Sequence, residues 1–174
     1  MLKLVHQDRR YRVTRLFPQI NSRIIQVCEY SDGIWFSVHG EGLYRFDKIK
    51  NAVKNYRAES SNLLGNRVYR LYNDGDMLWI ATDAGLNSYD TQSTDFKQWA
   101  IVDSPDQDRR NNAFYSIYRD QRKKVWVGGT LGLFYVDPAR QGLVRKKLKL
   151  NKPHLSVPQK NVLNILESRK HILY

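Results

Sequence analysis

The chain contains a single cysteine, Cys28, in 174 residues. An intramolecular disulfide is therefore excluded, and so is a cysteine-based zinc site. The four histidines (His6, His39, His154 and His171) lie far apart without ligand spacing, so no metal site is expected. No run of eighteen apolar residues occurs, which leaves no helix able to cross a membrane. The first residues, MLKLVHQDRRYRV, hold no apolar stretch long enough for a signal-peptide core. That absence points either to a cytoplasmic protein or to an internal piece of a longer exported chain. There is no P-loop, no G-x-G-x-x-G and no Ser-His-Asp arrangement, so neither catalysis nor a cofactor is expected. Amphipathic helical spacing is missing too. Only Pro158 to Ser168 is ambiguous, and the repeat described next makes its latter part a strand.

The chain does carry a repeat. Aligned on tryptophan, three copies stand out: NSRIIQVCEYSDGIWFSVHGEGLYRFD from Asn21, NRVYRLYNDGDMLWIATDAGLNSYD from Asn66, and NAFYSIYRDQRKKVWVGGTLGLFYVD from Asn112. Trp35, Trp79 and Trp126 lie 44 and 47 residues apart. The pairs Gly42-Leu43, Gly85-Leu86 and Gly132-Leu133 follow each tryptophan by seven, six and six residues. A fourth copy starts at Asn161 as NVLNILESRKHILY.

Each copy resolves into short strands. In the second, Asn66 to Tyr72 alternates and ends at the turn signal Asn73-Asp74-Gly75. Leu78 to Ala81, Leu86 to Tyr89 and Phe96 to Ile101 supply three more strands, with Thr82-Asp83-Ala84-Gly85 turning the chain between the first two. Four antiparallel strands every 40 to 50 residues describe a β-propeller blade. The expected fold is all-β, a single propeller segment over residues 1–174. It divides into the end of a preceding blade (1–20), three blades (21–60, 66–104 and 112–150) and the start of another (156–174). Carboxylates recur at turns, as Asp32, Asp74 and Asp120 and again as Asp47, Asp90 and Asp137; there they are expected to cap backbone N–H groups. The tryptophans are expected to pack between blades, and Gly42, Gly85 and Gly132 to provide the turn conformation that other residues resist.

These copies, and DMLWIATDAGLNSYD best of all, resemble the two-component regulator propeller repeat found in the sensors of Bacteroidetes hybrid two-component regulators. The resemblance runs over about residues 21 to 174. The first copy departs from it with Phe36-Ser37-Val38 and the third with Gly129-Thr130. Members of that family carry an exported sensor of two propellers and an immunoglobulin-like domain. A membrane helix, a histidine kinase, a receiver and a DNA-binding module follow. The resemblance thus implies a periplasmic, non-catalytic, glycan-sensing segment whose kinase lies outside this chain and whose partners include the remaining receptor domains.

In a propeller the innermost strands line the central channel and the loops entering them form one rim. By repeat register, Arg23, Arg67, Arg109, Arg110 and Lys160 gather near one end of the channel. Arginine captures sulfate or carboxylate in bidentate fashion, and Tyr69 and Tyr115 are placed to stack on a sugar ring. An acidic oligosaccharide is the expected ligand. Three blades and a fragment do not close a ring of the usual size, so open blade edges are expected to drive self-association.

Two other readings stay open. One is a protein-interaction propeller. The other is polyanion binding through the basic run from Arg140 to Lys152, part of a C-terminal segment, Arg140 to Tyr174, that holds nine Lys/Arg against one acid, Glu167. That segment lacks the interleaved aromatics of a single-strand binder, which argues against nucleic acid.

Overall fold

The computed structural model describes residues 2–7, 10–15, 17, 20–31, 33–75, 77–90, 92–102, 113–146, 161–167 and 172–173. All regular structure among them is β. An antiparallel hairpin of β1 (Leu2–Gln7) and β2 (Arg10–Arg15) comes first. A four-stranded antiparallel sheet follows, made of β3 (Ile24–Tyr30), β4 (Gly33–Val38), β5 (Gly42–Asp47) and β6 (Ala52–Tyr56) in sequence order. The second blade repeats that order with β7 (Val68–Asn73), β8 (Leu78–Thr82), β9 (Gly85–Asp90) and β10 (Asp95–Ile101). The third does so with β11 (Phe114–Arg119), β12 (Val125–Gly129), β13 (Gly132–Asp137) and β14 (Gly142–Arg145). A short pair, β15 (Leu166–Glu167) and β16 (Ile172–Leu173), ends the series. The expected architecture of propeller blades with partial ones is the architecture found.

The first strands β3, β7 and β11 pack side by side and form the inner edge of the array. At the far edge β10 and β14 pair in parallel, Ala100 with Gly142 and Ile101 with Leu143. That bridge joins the second and third blades into one eight-stranded sheet.

The turns explain why each blade folds locally. Asp74 accepts a hydrogen bond from the Met77 N–H at 2.9 Å through Oδ1, and from the Trp79 indole N–H at 2.8 Å through Oδ2. Asp120 repeats the device in the third blade. Its Oδ1 accepts from the Arg122 and Lys124 N–H groups, and its Oδ2 accepts from the Trp126 indole at 2.9 Å. One carboxylate thus closes the first hairpin and fixes the tryptophan ring on the neighbouring strand. At the third turns, Asp47, Asp90 and Asp137 accept from backbone N–H groups two residues onward. Gly42 opens β5 at φ 85° and Gly132 opens β13 at φ 109°, a region costly for residues with a Cβ. A side chain at Gly42 would also run into the Tyr56 carbonyl oxygen.

Every blade has two unlike faces, because side chains alternate along a strand. One carries the tryptophan, cross-paired with a residue of the first strand: Cys28 with Trp35, Tyr72 with Trp79, Tyr118 with Trp126. We call it the presenting face. The other, the receiving face, carries apolar pairs: Val27 with Phe36, Leu71 with Ile80, Ile117 with Val127. Trp35 is buried among Val68, Leu71, Leu78 and Ile80 of the second blade. Trp79 is buried with Phe114, Ile117, Val125 and Val127 of the third. Trp126 packs on Val162 and Ile165, the segment that follows. Aromatic rings reinforce the first junction, where Trp35 lies 4.6 Å from Tyr89 between ring centroids.

The repeat register differs from the one expected on asparagine. Ile24 and Val27, Val68 and Leu71, Phe114 and Ile117, and Val162 and Ile165 form the recurring receiving pair, always three residues apart. Asn21, Asn66, Asn112 and Asn161 precede the first member of each pair by three, two, two and one residues. From the second copy on, burial against the preceding tryptophan sets the register, and the polar residue upstream follows whatever turn length the connecting loop leaves.

Replacing Asp74 with Ala leaves the Trp79 indole N–H and the Met77 N–H without their acceptor in a largely buried site. Chemical denaturation is expected to show a loss of about 1–3 kcal/mol, with a shift in tryptophan emission. Asp90→Ala, at an exposed turn, is expected to cost under about 1 kcal/mol.

Candidate functional site

The three innermost strands share a defect. Each ladder slips by one residue near its start: between Ile24 and Gln26 in β3, between Val68 and Arg70 in β7, and between Phe114 and Ser116 in β11. Ile25, Tyr69 and Tyr115 are the extra, bulged residues. A bulge re-aims the side chain it carries, and these three sit on the inner edge at equivalent places in successive blades. The rings of Tyr69 and Tyr115 meet across the junction, 5.0 Å between centroids and tilted by 56°. Both are partly exposed.

The charges at this rim are ordered by the backbone. The Arg23, Arg67 and Ala113 carbonyls accept from the N–H groups of His39, Asp83 and Thr130, at 2.9, 3.0 and 3.0 Å. These pairs mark one repeat position around the rim, occupied by arginine in the first two blades. Arg67 is exposed and lies close enough to Tyr69 for its charge to act on the hydroxyl, while Arg23 is exposed one blade away. Burial, the nearby Asp83 carboxylate and Tyr115 together raise the Tyr69 pKa above its ordinary value, against the opposing pull of Arg67. Tyr69, Tyr115 and Arg67 are therefore brought together. Arg109, Arg110 and Lys160 lie outside the described residues.

Several contributors were not legible as site residues. Asp83 read as a turn residue, yet its carboxylate acts on Tyr69 and its buried Oδ1 has no hydrogen-bond partner. Gln26 follows the first bulge, and its side-chain amide pairs with the backbone of the next blade. Its Nε2 donates to the Leu71 carbonyl at 2.8 Å and its Oε1 accepts from the Leu71 N–H at 2.7 Å. Buried Asn87 holds the loop entering β7, accepting from the Leu64 N–H at 3.0 Å and donating to the Asn62 carbonyl at 3.0 Å. A second polar cluster lies in the first blade, where the Tyr44 hydroxyl donates to Glu41 Oε2 at 2.8 Å. Hydrogen bonds from Ser22 and Tyr44, with Arg57 nearby, hold the Glu41 carboxyl below its usual pKa. Burial first, and then Glu41, push Tyr44 up to about 12. The Cys28 thiol is raised by burial and donates weakly to the Glu29 carbonyl. Among the described residues no cluster of three metal-ligating side chains occurs.

In comparisons with known proteins, no family model and no curated protein matches this chain. Solved structures do. The extracellular domain of BT3049 from B. thetaiotaomicron, assigned to a hybrid two-component system, is 23% identical with a TM-score of 0.62, over 84% of this chain and 21% of that one. Two structures of the extracellular domain of BT4673 from the same bacterium also match. One, assigned to a one-component system, gives 24% identity and a TM-score of 0.66 over 88% of this chain and 22% of the other. The second, assigned to a hybrid two-component system, gives 21% and 0.64 over 98% and 24%. At these identities the likeness establishes a shared fold, and this chain spans between a fifth and a quarter of each neighbour's length.

The raised tyrosine values have a measurable consequence. Tyr44 in the folded chain titrates above its reference value of 10.0, so folding favours its protonated form. Its stabilising contribution is full below pH 10.0 and is lost as pH climbs through about 12. Stability measured by denaturation is expected to fall across that window, and Tyr44→Phe is expected to flatten the fall. Absorbance of the phenolate reads the titration directly.

Proposed function

We propose that this chain is a ligand-sensing, non-catalytic segment of a periplasmic receptor, a single run of propeller blades within a larger sensor, and that its ligand is an acidic oligosaccharide. Support for a sensing role comes from the fold it shares with extracellular domains assigned to signalling systems. The observation that carries the ligand reading is the bulged pair Tyr69 and Tyr115, whose rings meet on the inner edge, with the exposed Arg67 two residues before Tyr69. Tilted, half-exposed aromatic rings offer apolar surface to the C–H face of a pyranose while their hydroxyls stay wet. A guanidinium beside them donates two parallel hydrogen bonds to a carboxylate or sulfate. Arg23 at the same repeat position adds a second cation one blade away. Remaining receptor domains would read the occupancy of this rim.

Titration calorimetry of the chain against sulfated, carboxylated and neutral oligosaccharides tests the proposal. Binding of the acidic sugars is expected, weakened roughly tenfold or more by Arg67→Ala, which removes a charge-assisted hydrogen bond. Tyr115→Ala is expected to weaken acidic and neutral sugars alike. Silence toward all three classes removes the reading.

A further inference from the structure

At the junction of the first and second blades, the Gln26 amide satisfies both main-chain groups of Leu71, donating to its carbonyl and accepting from its N–H. Those groups therefore point out of the second blade, away from β8. Ile117 holds the same register in the third blade, opposite Val127 as Leu71 is opposite Ile80, with the same slip just before it. Main-chain direction alternates along an antiparallel ladder, so the Ile117 N–H and carbonyl also point out of their blade. At this second junction the place of Gln26 is taken by Arg70, the residue after the bulged Tyr69. Arg70 pairs with Ala81 as Gln26 pairs with Ser37, which puts it on the face packed against the third blade. An amide both donates and accepts, whereas a guanidinium only donates. Arg70 is thus unable to cap the Ile117 N–H. Among the described residues no side chain accepts from that N–H, and Arg70 has neither a hydrogen bond nor an ion pair. Ile117 is 6% exposed, where an N–H lacking an acceptor is costly. Arg119, the other arginine of the junction, is engaged with the Asp74 carbonyl.

We propose that Arg70 and the Ile117 N–H form an oxyanion subsite on the inner edge between the second and third blades, taking a carboxylate or sulfate group. Two donors share one gap, one of them charged, and an oxyanion carries acceptors for both. Gln26 shows how the same gap is closed from within the chain, by a planar group whose oxygen lies over the N–H. The chain fills the gap at one junction and leaves it to an outside acceptor at the next. Tyr69 immediately precedes Arg70, and Tyr115 lies two residues before Ile117, so the ring pair borders the subsite. The inference adds to the ligand reading a place for the acid group of a sugar. It stands without that reading, since the comparison with Gln26 involves no sugar.

Amide NMR of the full chain, titrated with sodium sulfate against sodium chloride at matched ionic strength, provides the test. Sulfate is expected to shift the Ile117 amide saturably and to leave the capped Leu71 amide in place. Arg70→Gln, at an exposed position, is expected to rebuild the clip: sulfate affinity falls about tenfold or more, and hydrogen exchange at Ile117 slows. Arg70→Lys, which keeps the charge but not the fork, is expected to fall between. Gln26→Arg is expected to open the first junction, so that the Leu71 amide gains a sulfate response and loses protection. An Ile117 amide indifferent to sulfate overturns the proposal. So does a response that Arg70→Gln leaves undiminished, or one spread evenly over the basic surface, which would mark an adventitious ion only. A sulfated disaccharide and its unsulfated counterpart separate the two readings. If sulfate alone moves Ile117, the subsite stands and the sugar reading falls. If the sulfated sugar binds without moving Ile117, the subsite falls and the sugar reading stands.

Discussion

The structure depends on one repeated contact: a tryptophan on the second strand of one blade, buried against an apolar pair on the first two strands of the next. A single blade is a two-faced sheet with no means of covering either face by itself. Burying an indole ring removes more apolar surface from water than any other single side chain here can, and truncating such a ring typically costs about 3–5 kcal/mol. The contact therefore sets blade spacing, blade order and the polarity of the stack. It also explains the Asp74 and Asp120 carboxylates, which hold the indole N–H of Trp79 and Trp126 so that the rings meet the next blade in one orientation.

The polarity of the stack places the inner edge where a ligand can reach it. With the sheet faces occupied by neighbours, the first strands β3, β7 and β11 are left to face inward. The one-residue bulge near the start of each gives that edge a side chain not engaged in blade packing. In the second and third blades this residue is a tyrosine, and the two rings converge because the tryptophan junction between the blades holds them at 5.0 Å. The candidate site is thus a by-product of the scaffold's geometry, at positions the blade packing leaves free. Bridges of high sequence separation then lock the blades around it. The Gln26 amide bonds the Leu71 backbone, and Arg119 donates to the Asp74 carbonyl at 2.7 Å, each across 45 residues.

Much of this was legible in the residues, and for a physical reason. Turn aspartates, glycines at positive φ and an alternating tryptophan strand are local devices, so they recur at visible spacing wherever the same turn must form. The strands of the second blade accordingly lie within two residues of their expected limits. What escaped is what depends on contacts between distant segments. Asparagine marked the start of each copy, but the apolar pair, which from the second copy on faces the previous tryptophan, defines the register, and the two drift apart by up to two residues. A bulge is invisible in one strand because it exists only relative to its partner. The Gln26 clip and the β10 to β14 bridge likewise need the neighbouring blade. That Arg67, Tyr69 and Tyr115 lie together was legible, since they share a repeat position or lie near one; the place of Asp83 beside Tyr69 was not, since a turn role was sufficient to account for it.

The central claim is that the tryptophan junction, rather than the turns within each blade, binds the blades into one structure. A double-mutant cycle on Trp35 and Tyr89 measures it most directly, because these rings belong to different blades and lie 4.6 Å apart. With each residue changed to Leu singly and together, denaturation is expected to give a coupling energy between about 0.5 and 3 kcal/mol, as for residues in contact. Strict additivity of the two changes would contradict the account.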